Sequence, residues 1–133
     1  MKEMIYGGRS RILMFATYKD RDFVIVNLAG RFPCAYVRTD INYYNDDNVV
    51  DDSPAHCGFT FFNDLSHWKE YDPENYDKDF FERNFIGWDF GHACDYHPAF
   101  CDGGKKWTTE EVFENVKKVI DWINIKEKKM YGI

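Results

Sequence analysis

The apolar positions of the chain fall into short runs separated by polar punctuation. "RILMFATY" (11–18) and "DFVIVNLA" (22–29) are aliphatic, β-branched and aromatic stretches parted by the polar "KDR", a pattern that predicts a β-hairpin. Gly30 and Pro33 then interrupt the chain. "CAYVRTD" (34–40) reads as a third strand, with Ala35 and Val37 on one face and Cys34 and Tyr36 on the other. "CGFTFFN" (57–63) reads as a fourth, pairing Phe59 with Phe61 on one face and Thr60 with Phe62 on the other. "NFIGWDF" (84–90) reads as a fifth, ended by Gly91. The polar excursion between them, residues 64–83, carries Pro73 and predicts one short helix near 74–83, capped by Asp72.

After residue 107 the periodicity changes from two to three and four. Thr108 and Glu111 have the S/T-x-x-E spacing of a capping box. Val112, Phe113, Val116, Val119, Ile120 and Ile123 then form one apolar stripe, and Lys126, Lys128 and Lys129 fall where cations suit the helix dipole. Together these elements predict a single α+β domain over residues 1–133. It has a mainly antiparallel sheet of about five strands packed against a C-terminal amphipathic helix.

Composition changes this picture in two ways. With 12 Phe, 9 Tyr and 4 Trp, aromatic residues make up 19% of the 133-residue chain, enough for an aromatic-rich core or for the walls of a ligand pocket. The net charge is −6, and "DINYYNDDNVVDDSP" (40–54) holds five Asp without a Lys or Arg. Such a surface repels phosphate backbones, so nucleic acid is excluded as a general partner. The segment lacks the D-x-[DN]-x-[DN]-G spacing of a calcium loop and reads as a solvated acidic loop, or as a patch facing a basic partner. No run approaches a membrane span, and "MKEMIYGGRSR" lacks the apolar core of a secretory signal. The expected compartment is therefore the reducing cytoplasm, where the four cysteines are thiols or ligands rather than disulfides.

The candidate chemistry concentrates in "IGWDFGHACDYHPAFC" (86–101). Cys94, His97 and Cys101 have the spacing C-x2-H-x3-C, to which His56 or Cys57 could add. A second knuckle pair is missing, which argues against structural zinc. Asp89, His92 and Asp95 step along the end of the fifth strand. If strands four and five are antiparallel neighbours, His56 faces Asp89 and His92 across the sheet; a parallel pairing would dissolve the cluster. An imidazole held by a carboxylate can act as general acid or base, two His and two Asp could bind a divalent ion, and Cys34 becomes a nucleophile only if a His activates it. Equally, each residue alone could simply satisfy backbone at a strand end. "GGRSR" (7–11) and "DGGKK" (102–106) do not match nucleotide-binding fingerprints.

"PCAYV" (33–37), "HCGFTFF" (56–62) and "IGWDFGHACDYHP" (86–98) resemble a family of small phage and prophage proteins that has no established activity. Its pattern runs Cys-Gly-Tyr-Val, His-Gly-Gly-(Leu/Ile)-Thr, then Gly-Phe-Asp-Cys-Ala-His-Ala-Gly-Asp, followed by an amphipathic helix. The resemblance spans roughly residues 31–125 and falls on Cys34, Tyr36, His56, Gly58, Thr60, Gly87, Asp89, His92 and Asp95. Cys57 and Cys94 stand where the family has Gly, and Gly91 matches only loosely. The resemblance implies a site and a phage-type setting, not a reaction or a cofactor.

Two functional expectations follow. One is an accessory protein whose His56, Asp89, His92 and Asp95 form a polar, hydrolysis-competent site, with Cys34, Tyr36, Thr60 and Trp88 contacting a small polar, nucleotide-like ligand. The other is a non-enzymatic protein that docks a host protein through acidic, aromatic surface around 40–54 and 64–83.

Overall fold

The computed structural model describes residues 6–40, 42–43, 53–92, 95–97 and 103–131. The acidic loop lies largely outside them, as do Cys94 and Cys101 of the zinc pattern.

Strands β1 (Arg11–Tyr18) and β2 (Arg21–Leu28) form the expected hairpin. Its turn is Lys19-Asp20, with φ of 48° and 63°, the pair of left-handed residues that matches a two-residue turn to the twist of its strands. β3 (Phe32–Arg38), β4 (Phe61–Asn63) and β5 (Phe85–Asp89) complete a five-stranded antiparallel sheet in the order β1-β2-β3-β5-β4. Cys34 pairs with Asp89 and Phe61 with Gly87. Gly87 is required there by space: a Cβ would lie 2.5 Å from the ring of Tyr36, which crosses β5 at that point.

β2 is buried from Phe23 through Asn27 without alternation because both faces of the sheet are covered. One face, carrying Phe23, Ile25, Ala35, Val37, Ile86 and Trp88, receives the C-terminal helix. The other carries Val24, Val26, Cys34, Tyr36 and Phe85 and is covered by the 64–83 excursion through Leu65, Trp68 and Phe81. That excursion folds as a 3-10 turn, Ser66–Glu70, and a short helix α1, Lys78–Phe81. The helix predicted at 74–83 is thus four residues long and capped by Asp77, which accepts from the Asp79 amide at 2.9 Å. Asp72 instead accepts from the side chain of Asn75 in a preceding turn.

The C-terminal helix α2 (Thr109–Tyr131) follows the capping box as read, with Glu111 N–H donating to Thr108 Oγ1 and Thr108 N–H to Glu111 Oε1. Val112, Val116, Val119, Ile120 and Ile123 are fully buried, each contributing about 1.5–3 kcal/mol of apolar transfer. Among the described residues, no helix is long and apolar enough to cross a membrane.

β4 is shorter than the sequence suggests. Cys57 and Gly58 adopt left-handed backbone, φ 57° and 86°, so the chain joins the ladder only at Phe61. Phe59 consequently packs on the helix side and Phe61 on the excursion side, rather than sharing a face.

Candidate functional site

Antiparallel pairing of β4 with β5 brings the segment before β4 to the end of β5, and His56 to Asp95. His56 Nε2 lies 2.8 Å from Asp95 Oδ2 and 3.0 Å from Oδ1. Asp95 is buried, 1% exposed, yet its carboxylate is saturated with donors. The His92 amide donates to Oδ2 at 2.9 Å and the Trp107 indole N–H to Oδ1 at 2.8 Å. Burial pushes the Asp95 pKa up, but the hydrogen bonds from His92, Trp107 and His56 together pull it below the usual carboxylate range. An ionised carboxylate only accepts, so His56 presents Nε2–H to it, which in the neutral ring leaves the lone pair on Nδ1. Among the described residues, Nδ1 takes part in no hydrogen bond.

The imidazole is held in plane by its surroundings. Its ring stacks on Phe90 (centroids 4.8 Å apart, planes 4° apart) and meets the Trp107 edge at 4.8 Å. The backbone of the loop is fixed from α2, where Asn115 Oδ1 accepts from His56 N–H at 3.1 Å and from the Trp88 indole at 2.9 Å. The Asn115 amide donates in turn to Pro54 O. On the other side, Asp95 forms a bridge with Lys105, at a place where a Cβ on Gly104 would lie 2.3 Å from the Asp95 carbonyl carbon. Lys105 covers the Trp107 ring at 4.0 Å and pairs with Glu111, and the Trp107 amide donates to Tyr6 Oη at 2.7 Å. The side chain of His56 itself remains 21% exposed.

His92 and Asp89 make a second pair. His92 Nε2 lies 3.3 Å from Asp89 Oδ1, which already accepts from the Gly91 amide at 3.0 Å. The separation suits an ion pair once the ring is protonated, but the buried Nε2 has no hydrogen-bond partner among the described residues. The two imidazoles stand 5.9 Å apart, and the two pairs communicate through the His92 backbone rather than through a shared side-chain bond.

The remaining predicted residues fall elsewhere. Cys34, 4% exposed, and Tyr36, 6% exposed, belong to the core under the excursion, because alternation along β3 turns them away from the helix side where His56 lies. Burial raises the Cys34 thiol pKa and the neighbouring Asp89 raises it further, with no His among the groups acting on it, so the condition for a nucleophile there is not met. Trp88 is on the correct side but is 1% exposed and committed to Asn115, so it supports the site instead of walling a pocket. Thr60 is exposed, with its amide bonded to Gly87 O, and none of the described hydrogen bonds joins its hydroxyl to either pair. His97 is buried at Phe32. Among the described residues, no group of three or more His, Cys, Asp or Glu converges as a metal site.

Trp107, Phe90, Asn115 and Tyr6 were not singled out from the sequence. The one signal available was Asn115, a polar residue beside Val112, Val116 and Val119 on the buried stripe. No known family profile, curated protein or solved structure matches the chain.

Proposed function

We propose that the chain binds a small polar ligand at the end of β5, with His56 as the working acid–base group and Asp95 as its orienting carboxylate. The observation that carries this reading is the saturation of Asp95: a carboxylate with 1% exposure, ionised by three donors, fixes the tautomer of a partly exposed imidazole. An orientation of this kind gives Nδ1 a defined basic lone pair, which can accept a proton from a ligand hydroxyl or from a water attacking it. His92, its ring 5.9 Å away and 3.3 Å from Asp89, places a second imidazole beside the first. Hydrolysis of a nucleotide-like ligand, in the phage-type setting that the resemblance implies, is the reaction this reading favours.

The test is nuclear magnetic resonance of the histidine side chains against a panel of nucleotides, sugar phosphates and amino acids. The reading expects at least one ligand class to shift His56 and His92 together, with the response lost in His56→Gln. A panel that leaves both imidazoles unmoved, while native mass spectrometry finds no co-purifying small molecule, overturns it.

A further inference from the structure

Asp89 closes β5, and its side chain serves a turn. Trp88 and Phe90 pack in the cluster under α2, so strand alternation turns Asp89 to the other side, beside Cys34, its partner on β3. No described hydrogen bond or ion pair joins it to His56. Its Oδ1 accepts from the Gly91 amide at 3.0 Å, the local turn that Asp and Asn side chains build on the backbone two residues further along. The same oxygen lies 3.3 Å from His92 Nε2, but that nitrogen makes no hydrogen bond among the described residues. The turn is held close to β3: Phe90 N–H donates to Pro33 O at 3.0 Å, and a Cβ on Gly91 would lie 2.8 Å from the Phe32 ring.

Two contacts of the His56 site come from this turn. Phe90 stacks on the imidazole, centroids 4.8 Å apart and planes 4° apart. His92 N–H, the next amide after Gly91, donates at 2.9 Å to Asp95 Oδ2, the oxygen that lies 2.8 Å from His56 Nε2. Resting on the reading of His56 as the working group, we infer that Asp89 is a positioning residue for it, acting through the turn and not by touching the ring or a ligand. That task needs an acceptor oxygen at this place, not a negative charge.

The test separates these two properties in ligand-free protein. Asp89→Asn keeps the acceptor oxygen and removes the charge; Asp89→Glu keeps the charge and moves the oxygen one methylene away. Hydrogen exchange of the His92 amide reads its bond to Asp95, and the proton shifts of the His56 ring read its stack on Phe90. Exchange is taken relative to the core amides of β2, so that a general loss of stability is not read as a local one. Asp89→Asn should match wild type in both readouts. In Asp89→Glu the His92 amide should exchange about tenfold faster or more, as for the loss of one hydrogen bond, and the His56 shifts should move toward those of a free imidazole. The inference is overturned if Asp89→Glu leaves either readout at its wild-type value. It is equally overturned if Asp89→Asn changes either one, which would put the charge in control; this arm decides by itself where Asp89→Glu fails to fold. Because no ligand is used, the outcome is independent of the panel that tests the reading at His56.

Discussion

Replacing Asp95 with Asn exchanges one buried oxygen for an NH2 group at nearly constant shape. Asp95 Oδ2 accepts from the His92 amide at 2.9 Å, Oδ1 accepts from the Trp107 indole at 2.8 Å, and both face His56 Nε2. Asn has a single acceptor oxygen, so whichever way the amide is turned, either His92 N–H or Trp107 Nε1–H meets another donor. A stranded buried donor costs about 1–3 kcal/mol, and the surviving bonds lose their charge assistance, for a total near 3 kcal/mol. In a 133-residue domain this corresponds to a fall in Tm of roughly 10 °C. Thermal melting followed by circular dichroism reads it directly. The pH dependence adds a second constraint. Because the folded pKa of Asp95 is depressed, its contribution is complete above the unfolded value of about 3.9 and is lost as pH falls through the folded value. The gap between wild type and Asp95→Asn should therefore close on acidification below about pH 4. A shift of under about 2 °C at neutral pH, or a gap that persists in acid, would refute the reasoning.

Asn115→Ala should remove the shared acceptor of His56 N–H and the Trp88 indole and destabilise the domain by about 2–4 kcal/mol in chemical denaturation. In native protein, iodoacetamide should modify exposed Cys57 and leave buried Cys34 untouched until denaturant is added, as peptide mapping would report. Burial pushes the Tyr6 phenol up to about 12. A raised folded pKa holds its full contribution below the unfolded value of about 10 and loses it as pH climbs through the folded one. Stability measured by urea unfolding should accordingly decline between about pH 10 and about pH 12, and that decline should be smaller in Tyr6→Phe.

The architecture was legible where local pattern and tertiary burial agree. The turn at Lys19-Asp20, the alternation of Cys34 and Tyr36 against Ala35 and Val37, and the stripe from Val112 to Ile123 each follow from periodicity, and the structure places them accordingly. The unbroken apolar run from Phe23 to Val26 is the hint in the sequence that both faces of the sheet are covered, and the structure buries it through Asn27. Residues 64–83 look polar because their few anchors, Leu65, Trp68 and Phe81, are spaced irregularly and fix no period.

The pairing of His56 with the end of β5 depended on strand direction, a single binary choice that the sequence could pose but not decide. What it could not pose was contact between side chains distant in the chain. Trp107 reaches Asp95 beside the Asp95–Lys105 bridge, and Asn115 reaches His56 because α2 lies across the sheet. Cys34 and Tyr36 stood beside the histidines as motif neighbours, and strand alternation sent them to the opposite face.

The central claim is that Asp95 fixes His56 with its proton on Nε2 and its lone pair on Nδ1. Nitrogen-15 chemical shifts of the His56 ring, followed through its titration, measure this tautomer. The account predicts that deprotonation occurs at Nδ1, giving the Nε2–H form in wild type, and that Asp95→Asn relaxes the ring toward a mixture of tautomers. Finding wild-type His56 protonated on Nδ1, with a bare Nε2 facing Asp95, would contradict it.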